Sequence, residues 1–301
     1  MNICKTFHFF KESLKLAPLL WCIIFILTLF PILTHFADQP FWNDIAMRIM
    51  LLGIGAIGLN IAFGFGGMVS LGHALFIGIG AYTVGIMNFY DITNAFYHII
   101  LSILICGTLG FLVGILSLRT SGIYFIMITL AFAQMFYFFF ISLEMFGGDD
   151  GFSTDRSHFF LIDIYKNLRL YYVILSLLII TSFISCILYN SRFGVTLRAI
   201  KSNPSRAQSL GLKIINFKIT AFIFSAIICG LSGTLFANWQ EYISPDIMHW
   251  TKSGELLIVI VLGGLGTLSG PLIGSIVFYL LEEIIPKTLS IFLPLYQDNW
   301  M

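Results

Sequence analysis

The fold class that this sequence predicts is an all-α polytopic membrane protein, with about eight to nine transmembrane helices and glycine-rich broken-helix or hairpin elements. Three observations predict it. Of the 301 residues, 58% are hydrophobic and only 10% are charged, against roughly 45–50% and about 25% in soluble domains. Mean hydropathy is +0.94. Apolar runs of about 20 residues recur along the chain, the length that a bilayer core of about 30 Å asks of a helix. So little polar surface excludes a soluble enzyme, a nucleic-acid binder and a disordered chain. A transmembrane barrel would instead show segments of about ten residues with alternating polarity.

Taken in order, the candidate spans are 16–36, 45–63, 70–89, 95–117, 122–143, 170–189 and 219–238, followed by a longer glycine-interrupted region at 253–285. The first follows Lys5, Lys11 and Lys15 and superficially resembles a secretory leader. Its apolar run is about 20 residues long and no A-x-A spacing follows it, so it is read as an uncleaved span. Between Asn190 and Lys218 lie six basic residues (Arg192, Arg198, Lys201, Arg206, Lys213, Lys218) and no acidic one. The positive-inside rule assigns this segment, 190–218, to the cytoplasm. The other long connection, 144–169, holds Glu144, Asp149, Asp150, Asp155 and Asp163 and is read as facing outward. The same alternation puts the N-terminus and Arg119 on the cytoplasmic side. The chain is thus read as one integral membrane domain, 1–301. Its cysteines (Cys4, Cys22, Cys106, Cys186, Cys229) show no CxxC or metal spacing, so neither a redox site nor a metal site follows.

Gly53-Ile54-Gly55-Ala56-Ile57-Gly58 matches GxGxxG by letter. A dinucleotide fingerprint needs a strand before it and an acidic residue about 20 positions on. Here the motif lies inside an apolar span, where small residues at these spacings let helices approach closely. The run Asn60 to Ala74 is different. Gly64, Gly66 and Gly67 end one helix, and Ser70 is placed to cap the next. Two readings stand: a tight helical hairpin, or a hairpin bordering a translocation path. Irregular backbone at membrane depth must be buried or line a wet cavity, and the second reading is favoured. Its residues are Asn60, Gly66, Gly67, Ser70 and His73. The stretch Gly263 to Pro271, with Gly264 and Gly266, breaks a later apolar run in a similar way and hints at an internal repeat. Gln134 is another uncharged polar residue deep in a span.

The basic segment carries a local design. Asn203 offers an N-cap, Pro204 suits the first helical position, and Gly211 supplies a stop. Ser205 to Leu210 then form about two turns, with Arg206 among them and with Ala207 and Leu210, three apart, on one face. A loop needing only charge would not need this capping order, so a docking helix for a cytosolic partner is the favoured reading. The spans themselves hold no evident ion-coupling carboxylate, and Glu282 and Glu283 read as a helix-end charge. No Ser/His/Asp or paired-carboxylate constellation falls at one depth. If the chain transports, its driving force comes from a partner.

Four blocks in order then carry a family resemblance: GLNIAFGFGGMVSLGHALFIGIGAY (58–82), SGIYFIMITLAFAQMFYFF (121–139) with GGDDG (147–151), RFGVTLRAIKSNPSRAQSLGLKIINFKITAFIFSAIICGLSGTL (192–235) and IVIVLGGLGTLSGPLIGSIVF (258–278). Together they resemble branched-chain amino acid ABC transporter permeases of the LivM/LivH type, the LivM subgroup fitting best. The resemblance implies a multi-pass subunit of the bacterial inner membrane, non-catalytic and without a cofactor of its own. ATP and Mg would be bound by two cytosolic ATP-binding subunits. A second related permease and a periplasmic or lipid-anchored substrate-binding protein would complete the assembly, with membrane lipid around it. The cargo implied is leucine, isoleucine or valine. Urea and short amides are the alternative, because permeases for them share the motifs. The coupling segment carries over to Asn203 through Gly211. Many relatives have acidic residues there, where this chain has Asn203-Pro204-Ser205-Arg206. Relatives also commonly continue, after a tryptophan like Trp300, into one more apolar span.

Overall fold

The computed structural model describes residues 18–36, 41–158 and 167–292, and the chain is mostly helical throughout them. The N-terminal lysines, Asp163 and the stretch around Trp300 lie outside the described residues. The helices are α1 (Pro18–Phe36), α2 (Phe41–Asn60), α3 (His73–Phe89), α4 (Ala95–Ser117), α5 (Ile123–Ile141), α6 (Asn167–Asn190), α7 (Arg192–Ser202), α8 (Pro204–Ser209), α9 (Ile214–Gln240), α10 (Trp250–Gly263) and α11 (Gly270–Phe292). A π-helical turn, Ile61–Phe65, extends α2.

Five of these segments are long and apolar enough to cross a bilayer: Phe41–Phe65, Ala95–Ser117, Ile123–Ile141, Leu168–Asn190 and Ile214–Gln240. Pro18–Pro31 and His73–Phe89 are shorter apolar helices. Against the eight to nine spans expected, the difference lies in short or broken elements. The glycine-interrupted region resolves into α10, of 14 residues, and α11. At 1.5 Å per residue α10 is only about 21 Å long, less than a bilayer core.

The central helix is α9, packed on α2, α3 and α4. It can approach them because small residues line the contacts. A Cβ on Gly80 of α3 would strike the Gly230 carbonyl of α9, and a Cβ on Gly58 of α2 would come within 2.9 Å of Cys229 Sγ. Hydroxyls on α9 then reach backbone carbonyls of α2: Ser225 Oγ donates to Gly58 at 2.6 Å and Ser232 Oγ to Leu51 at 2.7 Å. The GxGxxG stretch is thus a packing surface. Gly53 faces Leu272 of α11, Gly55 faces Leu256 of α10, and Gly58 faces α9.

The connections sort to two ends. At one, β1 (Phe152–Ser153) pairs antiparallel with β2 (Tyr242–Ile243). There Asn88 donates to Thr154 Oγ1 at 2.8 Å, Ser157 N donates to Asn238 Oδ1 at 2.7 Å, and Arg156 is ion-paired with Glu241. The acidic connection and the 241–249 turn share this end. The opposite end gathers the π turn, the 264–269 break, α7 and α8. It carries Arg192, Arg198, Lys201, Arg206 and Lys213 and, among the described residues of those elements, no carboxylate. Charge is therefore segregated by end in three dimensions.

Candidate functional site

At the basic end the two helix breaks meet. Asn60, 1% exposed, closes the contact with both halves of its amide. Its Nδ2 donates to the Thr267 carbonyl at 2.9 Å, and its Oδ1 accepts from Gly266 N at 3.1 Å. A Cβ on Gly64 would collide with the Asn60 amide and stand 2.9 Å from Gly266 Cα. The close approach requires glycine at 64, and the φ of +77° at Gly266 favours it there.

A third element joins this clamp. Lys201, near the C-terminus of α7, donates from Nζ to the Gly64 carbonyl at 2.7 Å. Carbonyls at the end of a helix lack intrahelical partners, and a cation there is favoured by the helix dipole. The lysine stem crosses Gly67, where a Cβ would come within 2.9 Å of Lys201 Cγ, and Gly67 has φ +69°. A second contact runs beside it. The Arg198 guanidinium lies 3.7 Å from the centroid of the Tyr189 ring, and that ring meets Phe65 edge-on at 5.2 Å. Sequence reasoning counted Lys201 only as loop charge. No local signal identifies its role, because its partner lies 137 positions away.

Beyond Lys201 comes α8. Asn203 caps it as expected, its Oδ1 accepting from Arg206 N at 3.0 Å, with Pro204 in the first turn. Gly211 ends it at φ +80°. Ala207 and Leu210, expected to share one face, differ in exposure. Ala207 is 3% exposed, whereas Leu210 is 75% exposed and stands at the C-cap. Leu210 N still donates to the Arg206 carbonyl at 3.2 Å, so the helical spacing holds, and the two residues differ in what surrounds them. Leu210 is thus the exposed apolar side chain at the end of α8.

The remaining sequence-named residues are dispersed. Ser70 is fully buried but does not cap α3. Its Oγ accepts from Gly72 N at 3.2 Å, while Ala74 N, in the first turn of α3, donates to Ser253 Oγ of α10 at 2.8 Å. His73 is fully buried between Phe76 and Phe222, with Nε2 2.7 Å from Ser225 Oγ. Gly66 is the buried C-cap of the π turn, where a Cβ would stand 2.7 Å from the Ala62 carbonyl. Gly264, at φ +103°, opens the second break. Gln134 lies on α5 with Nε2 buried and, among the described residues, unpartnered.

Toward the acidic end, a cleft of about 430 Å³ opens between α2, α9, α10 and α11. None of the sequence-named path residues lines it. Instead its charged groups are Arg48, Asp246, Lys252, Glu255 and Glu282. Arg48 Nη2 lies 3.2 Å from Glu282 Oε1, and its guanidinium sits 5.1 Å from the Tyr279 ring centroid. Lys252 Nζ reaches both Glu255 oxygens at 2.8 and 3.0 Å. Glu282 is therefore not a helix-end charge. It stands well inside α11 and holds an arginine from α2, 234 positions away.

The sequence model of the family described as branched-chain amino acid transport system / permease component matches residues 42–298. The chain belongs to this family. Among individual permeases, it is 29% identical over 266 residues to the high-affinity branched-chain amino acid transport system permease protein LivM of Salmonella typhimurium. It is 30% identical, over the same length, to the LivM protein of Escherichia coli. Each match covers 80% of this chain, and the chain spans 63% of the length of either relative. A probable LivM protein of Methanocaldococcus jannaschii is 23% identical, over 80% of this chain and 81% of its own length. No solved structure matches the chain. The matched range includes the residues of both the clamp and the cleft.

Proposed function

We propose that the chain is a permease subunit of an ABC importer for branched-chain amino acids. The observation that carries the reading is the continuous line of contacts from α8 through Lys201 to Gly64 and Asn60. It gives a docking helix at the surface a direct hold on both helix breaks. The family match and the names of the relatives support leucine, isoleucine or valine as cargo.

In this reading the basic end is cytoplasmic, the N-terminus lies on the same side, and two ATP-binding subunits receive α8 with Leu210 at the contact. Hydrolysis belongs to them. A second, related permease and a binding protein on the opposite face complete the importer in the inner membrane. When the ATP-binding subunits close, α8 moves and Lys201 pulls on the π turn. Because Asn60 ties that turn to the 264–269 break, α2, α10 and α11 are displaced together. Those same helices wall the charged cleft at the other end, so one motion can close one end of the path while opening the other. Such a switch needs contacts that differ between two states. The Lys201 and Asn60 bonds are the contacts that would change, and the path residues Gly66, Gly67 and Ser70 flank them.

The test is uptake of radiolabelled leucine in cells with and without this chain, competed by isoleucine, valine, urea and a cationic amino acid. Loss of uptake on deletion, with competition by isoleucine and valine alone, is the expected result. Leucine uptake that is unchanged, or labelled urea transport that disappears instead, overturns the cargo.

A further inference from the structure

We infer that the cleft between α2, α9, α10 and α11 is a binding site for the free amino acid, holding its α-carboxylate, its α-ammonium and its aliphatic side chain at once. The inference rests on the proposed cargo and adds where on this chain that cargo sits.

The first argument is one of depth. Arg48 lies seven positions into α2, about 10 Å along the helix axis, inside the apolar segment Phe41–Phe65. Its side chain and that of Glu282 are 44% and 49% exposed. A charged pair at that depth is costly against hydrocarbon and is tolerated facing water or protein. Arg48 also does not snorkel toward the end of its helix, because it is held laterally by Glu282 and the Tyr279 ring. This face of the molecule is therefore turned away from hydrocarbon, and the half-exposed pair leaves it open to a polar ligand.

The second argument is chemical. Two cation–carboxylate pairs border the cleft, Arg48–Glu282 from α2 and α11 and Lys252–Glu255 from α10. Asp246 adds a further exposed carboxylate. Between them the wall is apolar, with the half-buried Leu52, Phe236 and Phe278. A zwitterion with an aliphatic side chain satisfies all three features. Its carboxylate replaces a carboxylate partner at Arg48 or Lys252, its ammonium takes the carboxylate so released, and its side chain meets the apolar wall. Urea and simple amides carry no charge to match the pairs. The volume of about 430 Å³ falls in the range of small-molecule sites, roughly 300–1,000 Å³.

The site can be read directly, independent of the affinity of any binding protein. The full transporter is purified into lipid nanodiscs, with Cys4 and Cys22 changed to Ser and with Ser244→Cys at the cleft wall. Labelling of the new thiol by a charged methanethiosulfonate is then followed. Leucine and isoleucine should slow labelling by about tenfold near saturation. Leucinamide, which lacks the carboxylate, and 4-methylpentanoate, which lacks the ammonium, should leave the rate unchanged at equal concentration. Arg48→Gln or Glu255→Gln should abolish the protection by leucine. If the Ser244→Cys chain fails to reach the membrane, Gln240→Cys carries the same readout. Equal protection by leucinamide, no protection by leucine, or a thiol sealed in the assembly with and without leucine would each overturn the site. Leucine uptake by cells that carry the same transporter separates the two failures. Uptake without protection removes the cleft and leaves the cargo standing, whereas absent uptake removes the cargo on which the inference rests.

Discussion

The two ends of this permease handle polar groups in opposite ways. At the basic end the clamp is built from one uncharged side-chain amide and backbone groups. The Asn60 amide hydrogen-bonds Gly266 and Thr267, and Gly64 packs against it with no room for a Cβ. At the acidic end the cleft is built from charged side chains on an open surface, each pair about half exposed. A buried amide network is costly to disturb, because every group that loses its partner keeps its desolvation penalty, about 1–3 kcal/mol. An exposed ion pair is worth only about 0–1 kcal/mol. The clamp is thus suited to transmit a displacement, and the cleft is suited to exchange partners. The same helices, α2, α10 and α11, connect them.

Substitutions break the comparison at different strengths. Gly64→Ala should have the largest effect, since its Cβ has no space beside Asn60 and Gly266. Overpacking of this kind costs about 1–3 kcal/mol, and the lost Asn60 bonds add to it. Uptake should fall to background while leucine protection of the cleft thiol persists. Loss of both would show that the two ends are not separable. Next comes Leu210→Asp at the tip of α8. An apolar anchor of an interface costs at least about 2 kcal/mol when removed, so co-purification of the ATP-binding subunits should drop by about thirtyfold with normal membrane insertion. Ala207→Asp, by contrast, should lower the thermal stability of the chain itself, because Ala207 is buried within it.

A smaller effect is expected from Lys201→Met, which keeps the stem over Gly67 but deletes the bond to the Gly64 carbonyl. A hydrogen bond to a charged group is worth about 1.5–3 kcal/mol. Partial exposure puts this one at the lower end, so ATP hydrolysis should continue while leucine uptake per ATP falls several-fold. Lys201→Arg should restore part of the coupling. Unchanged coupling in the Met variant would leave the lysine a merely solvated charge. Smallest of all, on stability, is Arg48→Gln. Thermal unfolding should shift by less than about 1 kcal/mol in equivalent stability, even though the variant loses protection by leucine. A large loss of stability would instead make Arg48 a structural cation and weaken the contrast between the ends.

Much of the helical order was legible in the sequence. The span expected at 95–117 is α4 to the residue, and 122–143, 170–189 and 219–238 correspond to α5, α6 and α9. The capped helix after Asn203 also formed where its cap, proline and glycine put it. The cap of α3 was misread, because Ser70 turned to Gly72 and the helix received its hydroxyl from Ser253 of α10. The missed residues, Lys201, Arg48 and Glu282, share one property. Each looks ordinary within its own segment and acquires meaning only from a distant partner.

What the sequence determined by itself was therefore local. Apolar length, helix caps, glycine breaks and the segregation of charge are read within a few residues or one span, because helix geometry couples positions only three or four apart. Tertiary structure decided which break touches which, that the Asn60 amide bridges 207 positions to Thr267, and that Arg48 of α2 meets Glu282 of α11. No periodicity encodes such meetings. They follow from α9 packing through its small residues against α2, α3 and α4, and from the requirement that every buried amide find a partner.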